Sequence, residues 1–201
     1  MKTAAITGTT RGIGLSLKQK MIENFNVLDL NRPIFDLSIP DSINNVDLSN
    51  IDVLVLNAGL ANKNLIPDNF RDQSVEYWSE IISTQISGNF LLMQNYLKAR
   101  DQGLIVVISS IVVEQSRFSG RAVYTAAKTA LSVMVDELSH EIKRTKQNIR
   151  ILEIRPGLTR SPGEKPIDGE DRTPTTYDQV ADAILFAVNH PTLTKVTFNN
   201  L

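Results

Sequence analysis

Tyr124 and Lys128 form the residue pair in this sequence that is best suited to moving a proton. They are four residues apart in a stretch of helical periodicity, so both side chains project from one face of a helix. A free tyrosine has a pKa of about 10, which is too high for acid–base work at neutral pH. Because an ammonium group one turn away favours the phenolate, the pair predicts a tyrosine that exchanges a proton with a substrate.

A glycine-rich segment, 7–14, follows the first apolar run and precedes the first helical pattern. Gly8, Gly12 and Gly14 permit positive φ and allow backbone amides to approach a pyrophosphate closely. An ordinary glycine-rich turn is the alternative, but the strand–turn–helix context favours a dinucleotide. The segment therefore predicts a phosphate-binding loop.

Short apolar runs alternate with longer helical patterns along the chain. Uninterrupted apolar strands separated by helices indicate a parallel sheet covered on both faces, so we predict an α/β, doubly wound Rossmann fold. We expect one domain over 1–201, with strands at 4–6, 26–30, 52–56, 104–108, 149–154 and 195–198, and helices at 12–24, 74–100, 121–146 and 177–189.

Two segments depart from a regular arrangement. Only about twenty residues join Leu30 to Ile51, too few for the helix, strand and helix that usually fit there, so we expect a trimmed sheet edge or irregular structure. The Pro/Gly-rich stretch 157–176 follows a strand end, and we expect it to be a mobile substrate loop.

Composition excludes several classes of protein. Cysteine is absent from the sequence, which rules out disulfides, thiolate nucleophiles and Cys-ligated zinc, and we expect no metal. The net charge of -1 gives no general attraction for nucleic acid or anionic membranes. The longest apolar runs are too short for a signal peptide or a membrane span, so we expect a cytoplasmic protein.

Five motifs in register resemble the short-chain dehydrogenase/reductase family across about residues 3–190. They are the spacing T-G-x-x-x-G-x-G at 7–14, Asn57-Ala58-Gly59, Ser109-Ser110, Tyr124-x-x-x-Lys128 and Pro156-Gly157. The resemblance implies an NAD(P)(H)-dependent oxidoreductase that interconverts a carbonyl and an alcohol, with Tyr124 as general acid/base, Lys128 beside it and Ser110 holding the substrate oxygen. Ser109 is the alternative serine, because the spacing to Tyr124 is one residue longer than is usual in the family.

The resemblance also implies the cofactor contacts. Asp36 takes the position that hydrogen-bonds adenine, with a turn or cap aspartate as the alternative. Ser161 takes the position that meets the nicotinamide carboxamide. The expected contacts are Gly8, Thr10, Arg11, Gly12, Ile13, Gly14, Asn31, Arg32, Asp36, Leu37, Asn57, Ala58, Gly59, Tyr124, Lys128, Pro156, Gly157 and Ser161.

Residues at the end of the second strand decide between NADP and NAD. A carboxylate there binds the ribose hydroxyls and repels a 2′-phosphate, whereas arginine attracts the phosphate. Asn31 and Arg32 stand at this place, and Arg11 resembles the basic residue of NADP-preferring members. We therefore favour NADP(H). If the register is shifted by two residues, Asp29 becomes the ribose-binding acid and NAD(H) is preferred.

One position departs from the family pattern. Gln85 stands where members carry an asparagine that anchors a water in the proton relay, and Asn89, one turn later, is a substitute. This departure, with the trimmed 31–51 region, leaves an alternative function: a catalytically weak NADP(H)-binding sensor or interaction protein.

The expected partners are a small carbonyl or alcohol substrate and further copies of the chain. Family members pair through the two long helices, here 74–100 and 121–146, which would give a homodimer or homotetramer. Their apolar residues also suit an internal core. Substrate identity depends on segments without a transferable code, near 60–70, 111–120 and 157–176.

Overall fold

The computed structural model describes residues 1–59, 70–115, 122–145, 147–161 and 174–198. The strands are β1 (Lys2–Thr7), β2 (Phe25–Leu30), β3 (Val53–Leu56), β4 (Gln102–Ile108), β5 (Asn148–Arg155), β6 (Thr159–Arg160), β7 (Thr175–Thr176) and β8 (Lys195–Thr197). The α-helices are α1 (Gly12–Met21), α2 (Pro40–Asn44), α3 (Val75–Ile81), α4 (Asn89–Ala99), α5 (Ala122–Thr145) and α6 (Tyr177–Val188).

The main sheet has six parallel strands in the order β2-β1-β3-β4-β5-β8, which confirms the predicted doubly wound α/β fold. The chain runs outward from β1 to β2 and then returns to the other side of β1 for β3. This reversal leaves a crevice beyond the carboxyl ends of β1 and β3, where ligands of such folds bind. Gly8 follows one of these strand ends and Asn57 the other.

Helices cover both faces of the sheet, which explains the uninterrupted apolar strands. All four residues of β3 are buried. Leu17 of α1 and Ile184 of α6 pack on one face, and Leu92 of α4 and Leu131 of α5 pack on the other. The layers therefore place the starts of α1 and α5 at the same sheet edge as the strand ends.

The helix predicted over 74–100 is present over 75–99, but its middle part is not α-helical. A π-helical stretch, Ile82–Gly88, separates α3 from α4. Asn89 Nδ2 donates to the Gln85 carbonyl oxygen at 2.9 Å, and Gly88 is so close to Leu37 that a Cβ there would overlap the Leu37 carbonyl. The first contact lies within the helix, and the second joins it to a distant loop. π-Helical turns occur frequently at functional sites.

The region between β2 and β3 is trimmed, as predicted. Its one short α-helix, α2, follows a loop whose Phe35 and Leu37 are buried in the core. As a result β2 forms the edge of the sheet. The first predicted helix is also shorter than expected, because α1 ends at Met21 and Asn24 donates to the Met21 carbonyl in a turn.

The start and end of the predicted substrate loop form a small parallel pair, β6 with β7, which the sequence did not indicate. Residues 162–173 of that loop lie outside the described residues, as do 60–69 and 116–121 of the other predicted substrate segments.

The predicted oligomer helices divide their apolar residues between core and surface. Ile81, Leu131 and Val135 are buried, whereas Phe90 and Val133 are 51% and 55% exposed. Over the described ranges, no helix combines the length and apolar character needed to cross a membrane.

Candidate active site

Side chains join the ends of β1 and β3 below the glycine-rich loop. Thr7 Oγ1 accepts hydrogen bonds from the backbone N–H groups of Asn57 and Ala58, at 3.0 and 2.9 Å. Asn57 Nδ2 donates to the carbonyl oxygens of Thr7 and Gly8, at 3.0 and 2.9 Å. The predicted Asn57 therefore holds the loop through its amide nitrogen, in a supporting position.

Close backbone packing explains two of the loop glycines. A Cβ on Gly14 would overlap the Gly8 carbonyl oxygen and Asn57 Nδ2, and a Cβ on Gly8, whose φ is +73°, would lie 2.9 Å from Ala58 Cα. At the start of α1, Arg11 takes the N-cap position without a side-chain capping bond from the described residues. The first N–H groups of α1 are thus available to an anion such as a pyrophosphate.

A cavity of about 340 Å³ lies beside this loop. Most of its lining consists of predicted cofactor contacts: Gly8, Thr10, Asn31, Arg32, Asp36, Leu37, Ala58 and Gly59. The remaining lining residues are Leu30, Phe35 and Thr84. The structure therefore gathers residues from four separate sequence segments around one concave surface, where a nucleotide fits.

The end of β2 favours the register that the NADP prediction assumed. Asp29 lies within β2, and its carboxylate pairs with Lys18 Nζ and accepts from Thr9 Oγ1 at 2.8 Å. Asn31 directly follows the strand, lines the cavity, and accepts from the Thr9 backbone N–H at 2.9 Å. Asp29 is thus engaged by α1 and the loop, and Asn31 is the residue at the expected 2′ position.

Arg32 and Asp36 form an ion pair at the cavity, with Arg32 Nε 2.5 Å from Asp36 Oδ2. Asp36 Oδ1 also accepts from the Ser38 backbone and hydroxyl, at 2.8 and 2.7 Å. Burial acts to raise the pKa of Asp36, but the hydrogen bonds from Ser38 and the pair with Arg32 outweigh it and lower that pKa. Asp36 therefore makes the contacts of a turn aspartate, the alternative considered above, and also lines the cavity, where its contact with adenine stays a prediction.

Lys128 is buried beside Tyr124. Its Nζ lies 5.9 Å from the centre of the Tyr124 ring and donates to the Ile108 carbonyl oxygen at 3.0 Å. Burial lowers the pKa of Lys128 to about 8, so the ammonium form still dominates at neutral pH. The arrangement places a positive charge, held by the end of β4, next to the phenol ring.

Gly59 connects the nucleotide cavity to this pair. It lines the cavity, and a Cβ built on it would lie 3.5 Å from Lys128 Nζ and 3.7 Å from Gln85 Oε1. The predicted cofactor turn and two predicted catalytic side chains therefore meet at one point.

Gln85 is fully buried, and neither its Oε1 nor its Nε2 has a hydrogen-bond partner in the described part of the chain. Asn89 Oδ1 likewise has no hydrogen-bond partner there, whereas the Asn89 amide nitrogen donates to the Gln85 carbonyl. Buried polar atoms rarely remain without partners, so this cluster is a place for ordered water or a ligand group.

The two candidate serines differ in their hydrogen bonds. Ser109 Oγ donates to buried Glu153 Oε1 at 2.6 Å. Ser110 Oγ accepts from the Val112 backbone N–H at 3.3 Å, which leaves its own proton for another acceptor. The Pro156 carbonyl, predicted to face the nicotinamide, accepts from the Ile111 backbone N–H at 2.9 Å and so ties the Pro156-Gly157 turn to the serine segment.

Ten of the eighteen predicted cofactor contacts lie outside the cavity lining. Arg11 and Ser161 are exposed, and Gly12 and Ile13 belong to the first turn of α1. The sequence reasoning overlooked Thr9, Thr84 and Gly88, whose contributions depend on contacts with distant segments. In the described ranges, no group of three potential metal-ligating His, Asp or Glu residues occurs.

A larger cavity, of about 830 Å³, lies at the opposite, amino-terminal edge of the sheet. Its polar groups are used internally: Arg150 donates to the carbonyls of Ala187, Val188, His190 and Leu193 at 2.8 to 3.1 Å. Arg100 similarly donates to the Ser49 carbonyl at 2.6 Å. We therefore assign the active site to the smaller cavity.

Comparison with known proteins agrees with this geometry. A family model described as short chain dehydrogenase matches residues 40–171. The chain belongs to the short-chain dehydrogenase family.

Members of this family with similar sequences include an uncharacterised oxidoreductase of Staphylococcus epidermidis, 24% identical over 97% of this chain and 94% of the relative. An NADP-dependent 3-hydroxy acid dehydrogenase of Schizosaccharomyces pombe is 30% identical over 93% of this chain and 86% of its own length. A short-chain dehydrogenase of Burkholderia cenocepacia, solved in complex with NADP, superposes with a TM-score of 0.81 at 17% identity, covering 99% of this chain and 96% of that one. The chain is therefore a short-chain dehydrogenase oxidoreductase, and a nicotinamide dinucleotide fits its glycine loop and cavity.

Proposed function

We propose that this oxidoreductase interconverts a carbonyl and an alcohol, with NADP(H) as its preferred cofactor and Tyr124 as general acid/base. The observation that carries the proposal is the buried ammonium of Lys128 beside the Tyr124 ring, at the point where Gly59 ends the nucleotide cavity. A buried cation stabilises a neighbouring phenolate more than an exposed one would, because little water screens the charge.

Each side chain then has a defined task. A bound nicotinamide supplies the hydride in reduction and accepts it in oxidation. Ser110, whose oxygen is oriented by the Val112 N–H, donates its hydroxyl hydrogen to the substrate oxygen. Tyr124 gives its phenolic proton to that oxygen during reduction and takes it back during oxidation. Lys128 stabilises the phenolate that remains after the transfer.

The preference for NADP(H) is supported by charge at the end of β2. Asn31 carries no charge, Asp29 is neutralised by Lys18, and the guanidinium of Arg32 lines the cavity beside it. A 2′-phosphate would find two partners there, Arg32 and the exposed Arg11, and no unpaired carboxylate in the described segments.

The test is turnover of a carbonyl and alcohol panel that begins with 3-hydroxy acids, the substrate class in the name of one relative. Tyr124→Phe keeps the ring and removes only the hydroxyl group. We expect its kcat to fall at least about 100-fold, with NADPH affinity unchanged in calorimetry. Full turnover by Tyr124→Phe would remove the assignment.

A second candidate function, an NADP(H)-binding sensor with weak turnover, is supported by the unsatisfied amide of Gln85. Under this function the wild-type protein binds NADPH tightly and oxidises it with no member of the panel. Gln85→Asn, which restores the residue usual in the family, then discriminates: a gain of turnover supports the sensor, and a loss supports the enzyme.

A further inference from the structure

A buried carboxylate contacts Ser109, the neighbour of the predicted catalytic serine Ser110. Glu153, in β5, is fully buried. Its Oε1 accepts from Ser109 Oγ at 2.6 Å, and its Oε2 lies 2.9 Å from Arg155 Nη2 and 3.3 Å from Lys195 Nζ. The proposed function assigns no role to Glu153.

Arg155, two residues further along β5, extends this cluster to other elements. Its Nη2 also donates to Ser132 Oγ of α5 at 2.8 Å, and its Nη1 donates to Glu114 Oε1 at 2.7 Å. Glu114 directly follows the 3₁₀ turn Ile111–Val113, and Ser110 is the N-cap residue of that turn. One planar guanidinium thus joins the serine segment to the long helix.

A buried ion pair such as Glu153–Arg155 contributes little net stability to a core. Buried pairs lose so much hydration that apolar residues of similar volume are often as stabilising or more so. Burial acts to raise the pKa of Glu153, yet hydrogen bonds from Arg155, Ser109 and Ser132 outweigh it and lower that pKa, so the carboxylate stays charged. A pair of this kind needs a reason other than stability.

The geometry supplies one. Lys128, Ser132 and Asp136 succeed one another at four-residue intervals on one face of α5. Ser132 contacts Arg155, and Asp136 Oδ1 lies 3.7 Å from Lys195 Nζ. The face of α5 that presents Lys128 is therefore held by the cluster that also holds Ser109, the neighbour of Ser110.

We infer that Glu153 and Arg155 are positioning residues that fix Ser110 relative to the Tyr124–Lys128 face of α5. The inference rests on the proposed function for its catalytic consequence. Both residues act through others: Glu153 through the Ser109 hydroxyl, and Arg155 through Ser132 and Glu114.

Two double variants separate positioning from stability. E153L/R155M removes both charges and leaves Ser109 Oγ only the more distant Ile154 carbonyl, at 3.3 Å, as an acceptor. E153Q/R155M also removes both charges but keeps a side-chain oxygen for Ser109. Each variant replaces both members of the Glu153–Arg155 pair, so neither charge remains buried without the other. Both variants should therefore unfold near the wild-type denaturant midpoint. Exchanging the exposed pair Lys20–Asp182 for alanines is the control far from the site.

We expect E153L/R155M to lose at least about tenfold in kcat, since small misplacements of reacting groups are costly, with KM and NADPH affinity within twofold of wild type. E153Q/R155M should recover part of that loss. Ser109→Ala is the smallest change and should also lower kcat. If a double variant fails to fold, the kcat of Ser109→Ala alone tests the inference. Wild-type kcat in both E153L/R155M and Ser109→Ala would overturn the inference.

A readout without turnover keeps this test separate from the proposed function. The backbone N–H groups of Ser109 and Ile111 donate to Ile154 and Pro156, so their hydrogen exchange reports how firmly the serine segment is held. If no Tyr124-dependent turnover exists, the proposed function fails. Faster exchange of these two amides in E153L/R155M, at unchanged global stability, still supports positioning, and unchanged exchange overturns it.

Discussion

The two edges of the sheet use polar residues in opposite ways. At the amino-terminal edge, Arg150, Arg100 and the Tyr96 hydroxyl are bonded to backbone carbonyls of the chain itself. At the carboxyl-terminal edge, the amide of Gln85 and Asn89 Oδ1 lack partners among the described residues. The larger cavity lies at the first edge and the smaller at the second. Buried polar atoms without hydrogen-bond partners therefore point to the candidate site more directly than cavity volume does.

The sharpest test of this difference compares two glycines. A Cβ on Gly14 would overlap the Gly8 carbonyl at the nucleotide loop, and a Cβ on Gly103, whose φ is +150°, would overlap the Tyr96 hydroxyl at the other edge. We expect both alanine variants to lose roughly 3 kcal/mol of stability or more, because neither site can relax cheaply. Only Gly14→Ala should also lower NADPH affinity, by about 100-fold, in calorimetry on the folded protein. Equal affinity of the two variants would contradict the contrast between the edges.

Arg150→Met tests the amino-terminal edge alone. The substitution keeps most of the aliphatic stem but leaves the last carbonyls of α6 without their donor. We expect a loss of about 3 kcal/mol in urea unfolding, since hydrogen bonds to a charged group contribute more than neutral ones. kcat and NADPH affinity should not change. A tenfold fall in kcat would show that this edge takes part in function.

Lys128→Met tests the buried ammonium through pH. The pKa of Lys128 is about 8 in the folded protein and near 10.4 in an unfolded chain. Between these values the unfolded state binds more protons, so this group makes the free energy of unfolding rise with pH. The wild type should therefore gain stability relative to Lys128→Met from pH 8 to pH 10.

Lys20→Met provides the opposite sign as a control. The hydrogen bond that Lys20 donates to Asp182 raises the pKa of Lys20, so its contribution is present below the unfolded pKa and is lost at higher pH. Parallel pH profiles for the two lysine variants would contradict the burial of Lys128.

The smallest expected effect concerns cofactor choice. Arg32→Ala should raise the Kd for NADPH about tenfold and leave that for NADH nearly unchanged, as expected for one partly exposed contact to a phosphate. Arg144→Ala, at the exposed end of α5, is the charge-matched control. An equal loss for both cofactors would assign Arg32 a structural role through Asp36.

The sequence predicted the sheet and the proximity of Tyr124 and Lys128 because these depend on local pattern. Uninterrupted apolar runs identified the strands, and the spacing of Tyr124 and Lys128 identified the pair. The contact of Gly88 with Leu37 joins residues that are distant in sequence, so local periodicity could not reveal it.

Glu153 and Arg155 did leave a signal. Glu153 and Arg155, at i and i+2 in the buried end of β5, point to the same face of the strand, and burial there requires a partner for each charge. The pattern indicated a buried pair, but only the three-dimensional structure shows that it joins Ser109 to α5.

The missing side chain of Gly88 allows two segments of the site to pack directly on each other. The Leu37 carbonyl rests against its backbone, so the loop that holds Asp36 leans on the same helical segment that carries Gln85. A cofactor bound at the proposed site would therefore lie against two segments, the loop of Asp36 and the helical segment of Gln85, that pack directly on each other.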